Sequence, residues 1–296
     1  MQAVPVAAGI DARETLESGN VLIIPNAPFE LAAEDLAAIF AVRRIGSHHK
    51  NIAYKPGQDM VSGLGKDGAP LRARLQDVLQ RYSRTATEIA AGLLPQYQQG
   101  WRLDYASLRP VEEAGRSLPF KKRNDLLHTD AFPTRPTNGG LILRIFFNLH
   151  PERSRVWIVT DPFEKIAPEH AEAAGLGRIT DRRHLLSAAL RRLHLPVKAR
   201  SPYDDFMLVF HDYLKHNAEF QAACPKRRLE FPPGTMWMAF TDIVPHSVVS
   251  GQFAMEQTLI VPRDCLASPE RAPISVLERL AGHSLTLRRS TSPRPC

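Results

Sequence analysis

Cysteine is scarce in this sequence. Of 296 residues only three are cysteine, Cys224, Cys265 and Cys296, and no two of them form a CxxC pair. This scarcity excludes a disulfide-stapled secreted scaffold and a zinc module built on several cysteines. It favours a reducing compartment, and we expect a cytoplasmic protein.

Long apolar runs are also missing. No stretch approaches the ~20 apolar residues that a membrane-spanning helix needs. The first residues, MQAVPVAAGIDARET, lack the basic start and the apolar centre of a signal peptide. We therefore expect a soluble protein that at most attaches to a membrane surface.

Motifs for nucleic-acid binding are absent although the chain is basic. It has 38 Lys and Arg residues against 31 Asp and Glu residues, a formal net charge of +7. Such a charge favours an anionic partner. Because no zinc-finger spacing, RNP aromatic motif or helix-turn-helix pattern accompanies it, we expect no nucleic acid. Nothing in the sequence indicates the oligomeric state.

What the sequence does contain is a series of short apolar segments typical of strands, preceded and interrupted by helical patterns. The strand-like segments are 20–29, 101–110, 139–151, 155–163, 235–242 and 252–262, and the helical ones are 31–45, 71–94, 181–194, 203–223 and 275–283. Residues 47–70, with several Gly and Pro, are predicted to be loop. The series predicts an α+β fold whose core is a double-stranded β-helix, a cupin-like jelly roll, with flanking helices.

The domain organisation follows from this pattern. We predict a single domain over 1–296, because no segment has the composition of a linker. Residues 1–95 form a mostly helical part packed on the core, and 96–265 form the jelly roll with a helical insertion at 181–223. A helix at 272–283 and a flexible tail at 284–296 complete the prediction.

The segment LLHTDAFPTRP, residues 126–136, contains the first candidate site. In a strand, His128 and Asp130 project from the same face and can take adjacent positions on one metal ion. His246, in FTDIVPHSVVSG, follows one apolar strand and precedes another, and is the candidate third ligand. Two histidines and a carboxylate leave coordination positions open, which suits non-haem Fe(II). Zinc, and a chance His-x-Asp without metal, are the alternatives.

Arg144 is the second candidate, as the one charge inside the apolar strand LILRIFFNL. A buried guanidinium needs a partner, and the distal carboxylate of a 2-oxoglutarate co-substrate would satisfy it with paired hydrogen bonds. A structural ion pair with an Asp or Glu is the alternative. Gln257 or Thr258, on a later strand, could add a hydrogen bond to the co-substrate.

Taken together, several segments resemble the Kdo 3-hydroxylases, which are Fe(II)/2-oxoglutarate dioxygenases of Gram-negative bacteria. They are SLRP (107–110), GR (115–116), LHTDAFPTRPTNGGLILRIFFNLHP (127–151), RVWIVTDPFE (155–164), FPPGTMWMAFTDIVPHSVVSGQFAMEQT (231–258) and LERLAG (277–282). The resemblance implies hydroxylation at position 3 of the Kdo sugar of Kdo-lipid A to give Ko, in lipopolysaccharide core biosynthesis. It implies Fe(II), 2-oxoglutarate and O₂, with iron at His128, Asp130 and His246.

The implied substrate gives the basic charge a role, because Kdo carries a carboxylate and lipid A carries phosphates. Arg135 is the candidate carboxylate clamp, and Arg109 and Arg116 are further candidates for substrate binding; for each, a structural or surface role is the alternative. A lipid-linked substrate implies peripheral contact with the cytoplasmic face of the inner membrane. The basic residues 121–123 could approach its anionic headgroups.

Three other functions stay open at this point. One is a 2-oxoglutarate oxygenase that acts on a protein side chain with the same iron site. The second is a zinc-dependent hydrolase that uses His128, Asp130 and His246. The third is a cupin-like binding protein without catalysis.

Overall fold

Strands and helices occupy most of the described chain, which comprises residues 1–42, 51–179 and 200–287 of a computed structural model. The strands are β1 Ala3–Pro5, β2 Val21–Ile24, β3 Ile52–Lys55, β4 Met60–Ser62, β5 Arg102–Arg109, β6 Leu141–Asn148, β7 Arg155–Val159, β8 Arg227–Phe231, β9 Met236–Phe240, β10 His246–Ser250 and β11 Ala254–Val261. The α-helices are α1 Ala12–Glu17, α2 Ala33–Val42, α3 Arg72–Leu93, α4 Phe163–His170, α5 Pro202–His216, α6 Ala218–Ala223 and α7 Pro273–Ala281. Within the described ranges, no helix has the length and apolar character needed to cross a membrane.

Two sheets face each other. The larger has the strand order β1-β2-β9-β6-β11-β5-β3-β4 and the smaller has the order β10-β7-β8. A single antiparallel bridge between His128 and His246 adds the segment around His128 to the edge of the smaller sheet. The four central strands of the larger sheet and the four segments of the smaller one form a double-stranded β-helix. The predicted jelly-roll core is confirmed.

The alternation of side chains along β6 shows how the larger sheet divides the interior. Ile145 and Phe147 lie in the core that the helices cover, and the Tyr82 hydroxyl of α3 donates to the Ile145 carbonyl at 2.8 Å. Phe146 faces the other way and packs edge-on against Trp157 of β7, with ring centroids 4.9 Å apart. Arg144 is two residues from Phe146, so the pleat sends its guanidinium into the space between the sheets.

Helix α5 is positioned by its first turn. Ser201 and Asp204 form a reciprocal capping box, and Pro202 occupies the first helical position. The Asp204 carboxylate also accepts hydrogen bonds from the backbone amides of Thr137 (2.8 Å) and Asn138 (3.2 Å). This carboxylate therefore ties the helix to the loop that follows His128 and Asp130.

The loop prediction for 47–70 is wrong for its described part. Strands β3 and β4 form a hairpin there, and β3 pairs with β5 at the edge of the larger sheet. Ile52 and Tyr54 alternate with more exposed neighbours and are buried, so the pairing outweighs the local Gly and Pro content. The N-terminal part thus adds four strands to the sheet besides its helices, at both edges.

Three other differences concern helices and the tail. The prediction over 203–223 holds, except that Asn217 ends α5 and caps α6 by accepting from the Phe220 amide at 3.0 Å. Helix α4 was not predicted, and the helix predicted at 181–194 lies outside the described residues. A flexible tail from 284 does not hold for the described residues 284–287, because Leu285 is fully buried and its carbonyl accepts from the Tyr203 amide at 3.1 Å.

Candidate metal centre and polar interior

Backbone hydrogen bonds bring the three predicted ligands together. The amide of His128 donates to the carbonyl of His246 at 3.1 Å, and the reverse bond measures 2.9 Å. The amide of Asp130 donates to the carbonyl of Thr241 at 2.9 Å. The side chains of His128, Asp130 and His246 offer ligand atoms that all lie within 4.8 Å of one another. Strand pairing thus brings His246 next to His128 and Asp130, although it is far from them in the sequence.

The tautomers of the two histidines and the buried Asp130 carboxylate suit the binding of a metal ion. His128 Nδ1 lies 2.7 Å from the Leu126 carbonyl oxygen, and His246 Nδ1 lies 2.9 Å from the Val244 carbonyl oxygen. A carbonyl only accepts, so each Nδ1 carries the proton and each Nε2 keeps its lone pair. Asp130 Oδ2 is buried without a hydrogen-bond partner among the described residues. The three residues therefore fit a divalent metal.

Their ionisation states agree with this. Burial lowers the pKa of His246 and lowers that of His128 well below its ordinary value, where His211 adds to the effect. Both imidazoles are thus neutral at pH 7. Burial acts to raise the pKa of Asp130, but Arg144 and the two histidines outweigh it and hold this pKa below the ordinary value. The set is two neutral imidazoles and one carboxylate.

Two side chains that the sequence reasoning missed fix the imidazoles. The Trp157 ring stacks on His246 at 4.8 Å with an interplanar angle of 21°. The His211 ring contacts the His128 ring edge-on at 4.8 Å, and its Nδ1 lies 2.7 Å from the Thr129 carbonyl oxygen. Neither has a local signal, since each contact comes from another element of the fold.

Gln221, in α6, binds the outer edge of residues 127–130, the metal-binding segment that contains His128 and Asp130. Its Oε1 accepts from the Leu127 amide at 3.0 Å and its Nε2 donates to the Leu127 carbonyl at 2.9 Å. The same Nε2 reaches the Leu214 carbonyl at 2.8 Å. One amide side chain thus takes the place of a neighbouring strand beside Leu127, on the residue before His128.

Arg144 is paired, and it lies next to a metal ligand. Its Nε is 3.3 Å from Asp130 Oδ2, without hydrogen-bond geometry, and its Nη1 donates to Glu256 Oε2 at 3.2 Å. Arg109 Nη2 lies 2.7 Å from the same Glu256 oxygen. Burial acts to raise the pKa of Glu256, but Arg109 and Arg144 lower it to about 2. Glu256 therefore remains ionised and orients both guanidinium groups.

A third guanidinium lies deeper in the space between the sheets. Arg155 is 1% exposed, its Nη1 donates to the Gly251 carbonyl at 3.2 Å, and its Nη2 is 4.0 Å from Glu113. Burial, and then the charge of Arg109, lower the pKa of Arg155 to about 10. The three guanidinium groups here face three carboxylates, those of Glu113, Glu256 and Asp130, so that Asp130 is needed to balance the charge of this network.

The remaining predicted residues are distributed as follows. Arg135 forms an ion pair with Asp104, and its guanidinium lies between the rings of Tyr105 and Phe132, 4.2 Å from each centroid. Arg116 pairs with Glu113 at 3.5 Å.

Gln257 needs a correction. It follows Glu256 on β11, so its side chain points to the opposite face and donates to the Asp104 and Thr258 carbonyls at 3.0 and 2.7 Å. The structure does not bring it to the metal ligands. Thr258, the other residue considered, lies directly opposite Arg144 in the strand pairing and shares its face.

Comparisons with known proteins agree with this geometry. A family profile described as 3-deoxy-D-manno-oct-2-ulosonic acid (Kdo) hydroxylase matches residues 4–284. A search of curated proteins returned no match.

Solved structures give the same result. The chain is similar to the Kdo hydroxylase KdoO, a non-haem Fe(II) α-ketoglutarate-dependent dioxygenase, in complex with α-ketoglutarate and Fe(III), with 30% identity over 99% of this chain and 100% of the other and a TM-score of 0.83. The cobalt(II) complex of KdoO gives 31% identity over 98% and 99% of the two chains, with a TM-score of 0.83. The apo structure gives 30% identity over 99% and 100%, with the same TM-score.

Proposed function

This chain belongs to the Kdo hydroxylase family, and on that premise we propose that it is an Fe(II)/2-oxoglutarate-dependent dioxygenase that hydroxylates Kdo. The observation that carries the proposal is the cluster of His128, Asp130 and His246, in which Nδ1 of each histidine is bound to a backbone carbonyl and the buried Asp130 Oδ2 has no hydrogen-bond partner among the described residues. We further propose that the reaction takes place at position 3 of the Kdo sugar of Kdo-lipid A and gives Ko.

When bound, iron with 2-oxoglutarate and O₂ supplies the oxidising power that replaces a C–H hydrogen by hydroxyl, with succinate and CO₂ as the other products. The chain's own residues do the rest. The backbone carbonyls of Leu126 and Val244 fix the tautomers of the two histidines. Trp157 and His211 prevent the imidazole rings from rotating, and the aromatic packing of the smaller sheet keeps water from one side of the site.

We propose that Arg144 binds the distal carboxylate of 2-oxoglutarate. Its Nε is buried without a hydrogen-bond partner among the described residues and lies beside the metal ligand Asp130. Glu256 and Arg109 position it. Arg109, first considered for the sugar, therefore supports the co-substrate in this proposal.

Arg135 remains our proposed substrate contact near the metal ligands, on the loop after Asp130, where Asp104 already neutralises it. Arg116 pairs with Glu113 and has no such position. For the membrane, we propose peripheral contact at the cytoplasmic face of the inner membrane through residues 121–123. The Lys121 side chain is 77% exposed, which supports this role.

The proposal is tested by incubating the purified protein with Fe(II), 2-oxoglutarate and Kdo-lipid A under air. We expect mass spectrometry to show a product that is heavier than the substrate by one oxygen atom. One succinate should be released for each molecule of this product. Succinate without a modified sugar lipid, but with an oxidised protein substrate, would indicate a protein-directed oxygenase. Bound zinc with hydrolysis and no succinate would indicate a hydrolase, and no turnover at all a binding protein.

A further inference from the structure

Lys215 is a buried lysine near the proposed iron ligands. It is 4% exposed and stands one helical turn after His211 on α5. Residues four apart share a helix face, and His211 contacts the His128 ring at 4.8 Å and the Thr129 carbonyl at 2.7 Å. The Lys215 side chain therefore starts from the helix face that covers the metal-binding segment.

The Lys215 ammonium has few hydrogen-bond acceptors and no close counterion among the described residues. The Nζ atom donates to the Lys121 carbonyl at 3.2 Å, and no carboxylate of the described residues lies within the 4.0 Å ion-pair distance. An ammonium has three N–H donors, and a buried cation without a counterion is unfavourable. Burial accordingly lowers the pKa of Lys215, while Asp130, Asp212 and Asp125 oppose this.

Those three carboxylates already have other partners. Asp212 pairs with Lys121 at 3.2 Å, and Asp125 pairs with Arg123 at 2.5 Å. Asp130 is the proposed metal ligand. Lys215 is thus a cation near the site that lacks a dedicated counterion among the described residues.

The other cations near the metal ligands are matched. Arg144 has Glu256 and Asp130, and Arg135 has Asp104. An anionic group of the substrate that enters the site therefore gains most from Lys215, where no protein carboxylate has to be displaced.

The chemistry of the sugar requires such a group close to the iron. In a 3-deoxy-oct-2-ulosonic acid the carboxylate is C1, so it is only two bonds from the C3 methylene. Reaction at C3 places the carboxylate within a few ångströms of the metal site, and the cation that binds it must lie near the metal ligands. We propose that Lys215 binds the carboxylate of the sugar acid and thereby presents C3 for hydroxylation, an inference that rests on the proposed function.

The test compares the acid substrate with its neutral methyl ester in the wild type and in Lys215→Met, which removes the charged Nζ and keeps an unbranched side chain of nearly the same length. We expect the wild type to discriminate strongly against the ester. The variant should raise the KM for the acid by ~30-fold, as expected for the loss of a buried charged hydrogen bond, and should use acid and ester nearly equally. Lys215→Arg should restore part of the preference.

Three measurements separate this role from a structural one. Metal binding and the 2-oxoglutarate requirement for sugar-independent succinate release should be unchanged in Lys215→Met. Lys165→Met removes an exposed ammonium on α4, outside the proposed binding sites, so it should behave as wild type.

The proposal is overturned if the wild type accepts the ester as well as the acid, or if Lys215→Met retains the preference for the acid. Parallel loss of metal binding in the variant would also overturn it, in favour of a structural role. A wild type that never hydroxylates the sugar instead contradicts the proposed function itself.

Discussion

Asp130 carries two interactions, because one carboxylate serves the metal site and also lies against Arg144. Its Oδ1 is 3.9 Å from His128 Nε2, and its Oδ2 is 3.3 Å from Arg144 Nε. Removing it leaves only two metal ligands and a guanidinium that is less well neutralised.

We expect Asp130→Ala to abolish metal binding and turnover. A metal that binds only the folded state raises the melting temperature, so Co(II) should raise that of the wild type and leave that of the variant unchanged in a thermal scan. The surface variant Asp161→Ala should respond as wild type. Full activity in Asp130→Ala would remove this residue from the site.

Arg144 provides the second prediction at the residue scale. Replacing it with Met should raise the KM for 2-oxoglutarate by ~100-fold, the size expected for a lost bidentate charged pair, with a much smaller effect on the KM for the sugar. Steady-state kinetics measure both. Arg116→Met removes a guanidinium of the same network and should change neither. Equal effects on both substrates would mean that Arg144 is structural.

Asp242 gives a pH prediction. Burial raises its pKa to about 7, and its Oδ2 has no hydrogen-bond partner among the described residues. The folded state thus keeps a proton that the unfolded state releases near pH 4, so the free energy of unfolding falls as pH rises from 4 to 7, by up to ~4 kcal/mol.

Asp242→Asn removes this titration and leaves an oxygen to accept from the Ile142 amide. We expect the variant to gain stability relative to wild type between pH 5 and pH 8, measured by urea unfolding at each pH. If the stability difference between the variant and the wild type were the same at pH 5 and at pH 8, Asp242 would titrate with its ordinary pKa. Asp161→Asn, at the surface, should give no such trend.

At the scale of elements, the metal-binding segment is held on both sides by different means. On one side His128 pairs with His246, and on the other Gln221 binds the amide and the carbonyl of Leu127. A side chain from α6 thus stands where a sheet would place a further strand. This links the position of His128 to the helices of the long connection between β7 and β8.

Gln221→Ala should therefore weaken metal binding. We expect ~10-fold lower Co(II) affinity, together with ~1–2 kcal/mol of lost stability from two unsatisfied backbone groups. Titration followed by absorption measures the first and urea unfolding the second. Gln99→Ala, at an exposed position, is the control. Unchanged affinity with lost stability would limit Gln221 to packing.

At the scale of the whole molecule, the N-terminal part and the jelly roll share one sheet. Strand β2 pairs with β9 on one side, β3 pairs with β5 on the other, and α3 covers the face between them. The larger of the two apolar cores takes its residues from both parts.

A truncated chain of residues 96–296 should consequently fail to fold. It would expose the apolar face that α3 covers and leave two unpaired strand edges. We expect it to be insoluble, or to lack the near-ultraviolet circular dichroism of the full chain. A soluble truncated chain that binds Co(II) would show that the N-terminal part is dispensable for the core.

Much of the fold could be predicted from the sequence because its signals are local. The alternation around Arg144 and the apolar periodicity of α3 each depend on residues next to one another in the chain. The hairpin of β3 and β4 could not be predicted in this way, because its short strands depend on pairing with β5. Helix α4 was missed as well; it carries Pro168 and has no capping hydrogen bond from a side chain at its start.

The sequence by itself was enough to predict the three candidate metal ligands and the lone arginine inside an apolar strand, because the period of two in a strand indicates which neighbouring side chains share a face. Only the tertiary structure decided that Glu256 pairs with that arginine, that Gln257 faces away, and that His211, Gln221 and Lys215 surround the metal-binding segment. These contacts join residues from some 80 to more than 110 positions apart. No local pattern encodes them, since they exist only once the sheets and helices have packed.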